Sequence, residues 1–201
     1  LSTEVAEQLL TESSDEGKQR KQVCVMFLDI RGFTTFADRK NPEEIIDYQN
    51  DVFGFMIEAV YKNHGIINQF LGDGFMATFG APKSTGNDSQ NAFDAAREII
   101  TKVNQKSNTG EIPETKVGIG LHTGKVVVGN VGTSLRKQYS ITGTAVIIAA
   151  RIEQLNKDYQ SQLLISGEVL QKLDSIIMDY KSLGEVQLKG MEKPVEIFRI
   201  L

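Results

Sequence analysis

The chain has a single cysteine, Cys24, which excludes a disulfide framework. Its place inside the apolar run VCVMFL marks it as a buried structural thiol and fits a reducing compartment, the cytoplasm. No uninterrupted apolar stretch approaches the ~18–20 residues that a membrane helix needs, and no basic-then-apolar signal opens the chain, so no membrane contact is expected from this segment. Basic residues are not in excess either. Lys and Arg number 22 against 26 Asp and Glu, a net charge of −4, which argues against a general nucleic-acid binder. An RNA-binding sheet would also carry an aromatic stacking signature, which is missing here. With two histidines and one cysteine, no Ser-His or Cys-His grouping suits nucleophilic catalysis. His64 reads as a helix end and His122 sits in GLHTG. An initiator Met is absent too, and the opening LSTEVAEQLL suggests a segment of a longer protein.

What is present reads as one domain. At 201 residues, 40% hydrophobic and 24% charged, the chain can bury a proper core. Residues 1–20 combine a narrow apolar stripe (Val5, Leu9, Leu10) with a polar run, a short helix plus linker, and the globular domain spans 21–201. From Gln22 the run QVCVMFLD is β-type. Pro42 then opens a long amphipathic helix ending near His64-Gly65. GIINQFL and FMATFG flank the turn Gly72-Asp73-Gly74, a strong hairpin signal. NDSQNAFDAAREIITKVNQ is a second amphipathic helix, and TKVGIGLHTG with KVVVGNVG predicts a strand pair turning near Thr123-Gly124. Strand, helix, two strands, helix, strand is the order of a ferredoxin-like α+β core, βαββαβ. The remainder, with TAVIIAARIEQL as a helix and QLLIS, GEVQLKG and PVEIFRI as strands, extends that core.

Two strands, ending FLD and opening after GDG, each carry an aspartate beside glycine. In a ferredoxin-like sheet the first and third strands are neighbours, so Asp29 and Asp73 are expected to converge. Two carboxylates in contact repel unless a hard cation lies between them, and Mg²⁺ is commonly held by one or two carboxylates plus substrate phosphates. The backbone carbonyl of Ile30 would add a ligand. The bland alternatives are that Asp29 caps the following turn and that Asp73 serves the steric needs of a tight hairpin. The amides of Arg31, Gly32, Phe33 and Thr34 lead into a helix and suit a phosphate.

FLDIRGFT, FLGDGFMATFGAP, VGIGLHTGKVVVGNVG, RKQYSITG and LKGMEKPVEIF, in that order, resemble the catalytic domain of the class III adenylate/guanylate cyclases over residues 20–201. The resemblance implies head-to-tail dimers with each nucleotide, ATP or GTP, across the interface. It implies that Asp29 and Asp73 bind two Mg²⁺ or Mn²⁺ ions, and that Arg151 stabilises charge on the α-phosphate. Arg136 and Lys189 fall near triphosphate-holding positions. Gln69 and Ser140 occupy the base-recognition positions, and both can donate and accept, so they decide neither purine. The relatives' Asn in V-N-x-A-x-R, which orients the ribose, is here Ile147, four residues before Arg151. Ile147 either packs inward or weakens the half-site. A weakened module, or a chain that donates metals within a heterodimer, is therefore the alternative to an active homodimer. The segment STEVAEQLL resembles the transducing segment that follows upstream sensors in bacterial members.

Overall fold

The computed structural model describes residues 18–133, 136–174 and 179–201, apart from the side chains of 133, 136 and 137. The N-terminal helix expected over the first residues lies outside them. Strand β1 (Gln19–Ile30) is followed by a short helix α1 (Phe33–Ala37) and the long helix α2 (Pro42–Lys62). Next come the hairpin β2 (Gly65–Phe70) and β3 (Gly74–Phe79), helix α3 (Asp88–Thr109), β4 (Val117–Thr133) and β5 (Arg136–Thr142). Helix α4 (Thr144–Leu155), β6 (Leu163–Ser166), α5 (Gly167–Leu170), β7 (Tyr180–Val186) and β8 (Val195–Ile200) complete the order.

The sheet runs β2-β3-β1-β4-β6-β8-β7, with β5 pairing to β4. Its first four members are the ferredoxin-like core, and β6 to β8 extend it as expected. Both faces of β1 are covered, which is why it reads as a continuous apolar run rather than an alternating one. Cys24, Met26, Leu28 and Ile30 join the core beneath α2 and α3, beside Met56, Phe75, Phe93 and Ile99. Val23 and Val25, with Phe27 packed against them, face Ala145 and Ala149 of α4. Cys24 is fully buried, and burial pushes its thiol up to about 12, so it is an inert core residue.

Local chemistry sets the helix ends. Pro42 occupies the first turn of α2, and the Glu44 carboxylate accepts a hydrogen bond from the Asn41 amide at 3.1 Å, half of a capping box. Tyr48, Val52, Phe55, Met56, Ala59 and Val60 then bury one stripe. The C-terminal cap of α3 is Gly110, with φ 74°.

One expected turn is absent. TKVGIGLHTGKVVVGNVG forms a single strand, with Cys24 opposite Thr123 and Val23 opposite Gly124 in an antiparallel ladder with β1 that continues to Val128. Gly124 does not turn the chain. It makes room for the Ala145 methyl of α4, which a side chain at 124 would overlap. Gly120 does the same for the backbone of α4 at Glu153. The glycines that suggested a hairpin are packing glycines, placed where a helix lies flush on the sheet.

Candidate active site

Asp29 ends β1 opposite Gly74, the first residue of β3, and the Ile30 amide donates to the Asp73 carbonyl at 3.0 Å. Two further bonds hold the hairpin tip. The Leu71 amide donates to the Gly74 carbonyl at 2.8 Å, and Gln49 of α2 donates to the Gly72 carbonyl at 3.0 Å. Gly74 lets the strands close in, because a Cβ there would collide with the Leu28 carbonyl. The left-handed residue of the turn is Gly72, φ 75°; among the described residues the only non-glycines with positive φ are His64 and Gln160. Turn sterics therefore do not require Asp at position 73.

The Asp73 carboxyl stands close enough to act on that of Asp29. Asp29 is pushed up to about 6, first by burial, then by the charge of Asp73, against the opposing pull of Arg31. That is the electrostatics of a carboxylate pair short of positive charge. Among the described residues no group of three or more His, Cys, Asp or Glu side chains is arranged to hold a metal. The donor set is two carboxylates and neighbouring backbone, which fits a hard oxygen-seeking cation that keeps water and phosphate as its other ligands.

Sequence reasoning missed the third carboxylate. Asp29 and Arg31 share the sheet face covered by α4, and there Arg31 donates through Nη1 to Asp29 Oδ2 at 3.0 Å. Through Nη2 it donates to Glu153 Oε1 at 2.6 Å and to the Glu153 carbonyl at 3.1 Å. Gly118 leaves the space that the guanidinium occupies. Glu153 is buried, and burial raises its pKa, with the Arg31 charge opposing. The available signal was an acid eight residues after Ala145 and four after Ala149, on the buried stripe of α4.

The amide series from Arg31 to Thr34 is not all free. The Arg31 amide donates to the Lys116 carbonyl at 2.8 Å, extending the β1–β4 ladder, which corrects the expectation that it serves a phosphate. Gly32 (φ 72°) caps α1, and Phe33 and Thr34 open it.

The remaining candidates lie elsewhere. Gln69 is exposed on edge strand β2, at a register irregularity opposite β3. Ser140 sits on β5 opposite Gly129, whereas Asp29 lies opposite Gly118; at ~3.3 Å per residue those positions are about 35 Å apart along β4. Ile147 is 51% exposed on α4, which excludes the inward-packing reading. Arg151, on the same helix, donates to Gln154 Oε1 at 2.8 Å, while its buried Nε makes no hydrogen bond. Lys189 is exposed beyond β7, next to Leu188, which clusters with Ile148 and Ile152. The side chain of Arg136 lies outside the described residues.

His122 takes no part in this constellation. It is 5% exposed, with Nδ1 2.8 Å from Ser166 Oγ, and burial holds its pKa below the ordinary 6.5 despite the Glu168 carboxylate nearby. The folded state thus binds this proton less readily than the unfolded chain. Its contribution to stability is complete above the ordinary value and is lost as pH falls through it. In thermal melts from about pH 7.5 down to about pH 5.5 the wild type is expected to lose stability relative to His122→Gln. An equal slope in both proteins would contradict this.

Known proteins resemble this chain in sequence and fold. The family described as adenylate and guanylate cyclase catalytic domain matches residues 16–201. Adenylate cyclase 1 of Rhizobium meliloti is 32% identical over 185 residues, covering 90% of this chain and 28% of that protein. An uncharacterised protein of Mycobacterium tuberculosis is 34% identical over 195 residues, 96% of this chain and 36% of its own length. The chain therefore spans about a third of the curated relatives it matches. The adenylyl cyclase CyaB from P. aeruginosa superposes with a TM-score of 0.81 at 29% identity, over 92% of this chain and 96% of that one. The guanylyl cyclase Cya2 does so at 0.78 and 32%, over 92% and 93%.

Proposed function

The chain belongs to the family of adenylate and guanylate cyclase catalytic domains, and from that premise we propose that it converts a purine nucleoside triphosphate, ATP before GTP, to the 3′,5′-cyclic nucleotide and pyrophosphate. The observation that carries this reading is the meeting of Asp29 and Asp73 at one strand end, with Asp29 pushed up by burial and then by its neighbour's charge. ATP is placed first because the Rhizobium meliloti relative is named an adenylate cyclase. Gln69 and Ser140 do not decide between the bases.

Asp29, Asp73 and the Ile30 carbonyl would hold the two divalent cations, which when bound supply charge neutralisation on the triphosphate. The ribose 3′-hydroxyl gives up its proton to solvent as its oxygen attacks the α-phosphorus, the bond from that phosphorus to the oxygen bridging it to the β-phosphate breaks, and pyrophosphate departs. Arg151 balances charge that develops on the α-phosphate oxygens. No protein nucleophile is called on, in keeping with a fully buried Cys24 and a His122 committed to Ser166. Gly32, Phe33 and Thr34 offer amides to the phosphates, and Lys189 and Arg136 offer charge.

In this proposal two copies act together: the separation of Ser140 from Asp29 along β4 supports a reading in which one copy supplies Asp29 and Asp73 and another supplies Ser140. Ile147 and Arg151 would come from that second copy, as the family resemblance implies. A second reading rests on Ile147, whose exposed apolar side chain offers the ribose nothing: the chain is then a weakened module, or the metal-donating half of a heterodimer. The separating experiment measures cyclic nucleotide from ATP and GTP in parallel, with Mg²⁺ and with Mn²⁺. Product from either triphosphate supports the enzyme. Activity only on mixing with a related domain that carries the Asn supports the heterodimer.

No helix among the described residues is long and apolar enough to cross a membrane. A cytoplasmic location and a role in intracellular signalling are part of this proposal.

A further inference from the structure

Arg31 is held by three acceptors, and only one belongs to the carboxylate pair. Nη1 meets Asp29, while Nη2 meets both the side chain and the carbonyl of Glu153. The three side chains are 26%, 16% and 11% exposed for Asp29, Arg31 and Glu153, so none is freely solvated. Removing the sole partner of such a group costs several kcal/mol, because a buried charge is left uncompensated. A guanidinium bound only to Asp29 would therefore resist any cation that came for that carboxylate. The two bonds to Glu153 remove that obstacle.

The local charges point the same way. Asp29, Asp73 and Glu153 against Arg31 leave two negative charges unbalanced, which is the charge of one divalent cation; the exposed Lys157 adds a smaller, screened contribution. Among the described residues, the neighbours of Glu153 on the buried stripe of α4, Ala145, Ala149 and Ile152, are apolar. Gly118 keeps the space in which the guanidinium lies.

We propose that Arg31 is the resting counter-ion of Asp29, a positioning residue that yields this carboxylate to an incoming divalent cation and falls back on Glu153, which thereby sets how readily the site is loaded. The inference rests on the reading of Asp29 and Asp73 as the metal pair. Two opposing consequences follow. Without a charged Glu153, Arg31 leans on Asp29 alone and competes harder with the metal. Without both charges, the competitor is gone.

The test is direct binding of Mn²⁺, followed by the electron paramagnetic resonance of the free ion with no nucleotide present, on protein whose melting curve confirms folding. Glu153→Gln is expected to weaken Mn²⁺ binding by about 10-fold, and Arg31→Met with Glu153→Gln to tighten it above the wild type by a similar factor. A purely structural pair would shift both in the same direction, and that result, or no change in either, overturns the proposal. Should the single variant fail to fold, the charge-free double variant decides alone: affinity equal to or below that of the wild type refutes it. Asp29→Asn separates the premise. If it binds Mn²⁺ as the wild type does, the metal reading itself fails; if it loses the ion while the opposed shifts are missing, only the counter-ion role is lost.

Discussion

Asp29→Asn and Asp73→Asn are each expected to lower kcat/KM for cyclisation by about 10³-fold or more, several kcal/mol of transition-state stabilisation, because in the proposed mechanism each would remove a charged ligand from a site that works by charge neutralisation. The same Asp29 change is expected to make the metal-free protein more stable. The Asp29 carboxyl is displaced upward from 3.8 to about 6 in the fold, so the native state holds its proton more tightly than the unfolded chain does. Its favourable contribution is complete below the ordinary carboxylate value and lost as pH rises through about 6. At pH 8 the ionised group therefore costs stability, at most ~3 kcal/mol, and the neutral amide relieves that cost. Melting temperatures at pH 8 without metal should rise by a few degrees in Asp29→Asn, and the gain should vanish near pH 4. An inactive variant with a lowered melting temperature would mean that Asp29 serves the fold rather than the metal.

Ile147→Asn is expected to raise kcat by about 10²-fold, since deleting one well-placed polar contact from comparable sites costs about 10²–10³-fold. Half of the Ile147 side chain faces solvent, so the change leaves no cavity. Its effect on stability should stay within ~0.5 kcal/mol. The gain should appear in kcat with either triphosphate, because the ribose is common to both. An unchanged kcat in a protein that still dimerises would remove the weakened half-site and assign Ile147 to contact between copies.

Much of the architecture was legible in the chain. Pro42 and the Tyr48–Val60 stripe announce α2, the Gly72-Asp73-Gly74 turn announces the hairpin, and the order of elements announces the ferredoxin-like core. Each is a local property: a capped amphipathic period, a turn residue, an alternation. The misread Thr123-Gly124 turn has the opposite character. Glycine is needed there because Ala145, twenty-one residues on, lies against it, and no window of sequence contains that contact.

The site divides in the same way. Residue types at strand ends nominated Asp29 and Asp73, and ordered blocks of sequence nominated Arg151, Gln69, Ser140 and Ile147. Arg31 was credited with its amide alone, yet that amide belongs to the ladder with Lys116 and its side chain does the electrostatic work. Glu153 went unnoticed because its partner is 122 positions away.

By itself, then, the order of residues determined the elements, their succession and the acids a cation would seek, since these depend on neighbours along the chain. Only the folded sheet decided that a guanidinium lies between Asp29 and Glu153, that Ile147 faces outward, and that Ser140 stands far along β4 from Asp29. Those relations arise where β1, β4 and α4 pack together, and burial there turns ordinary charges into strongly interacting ones.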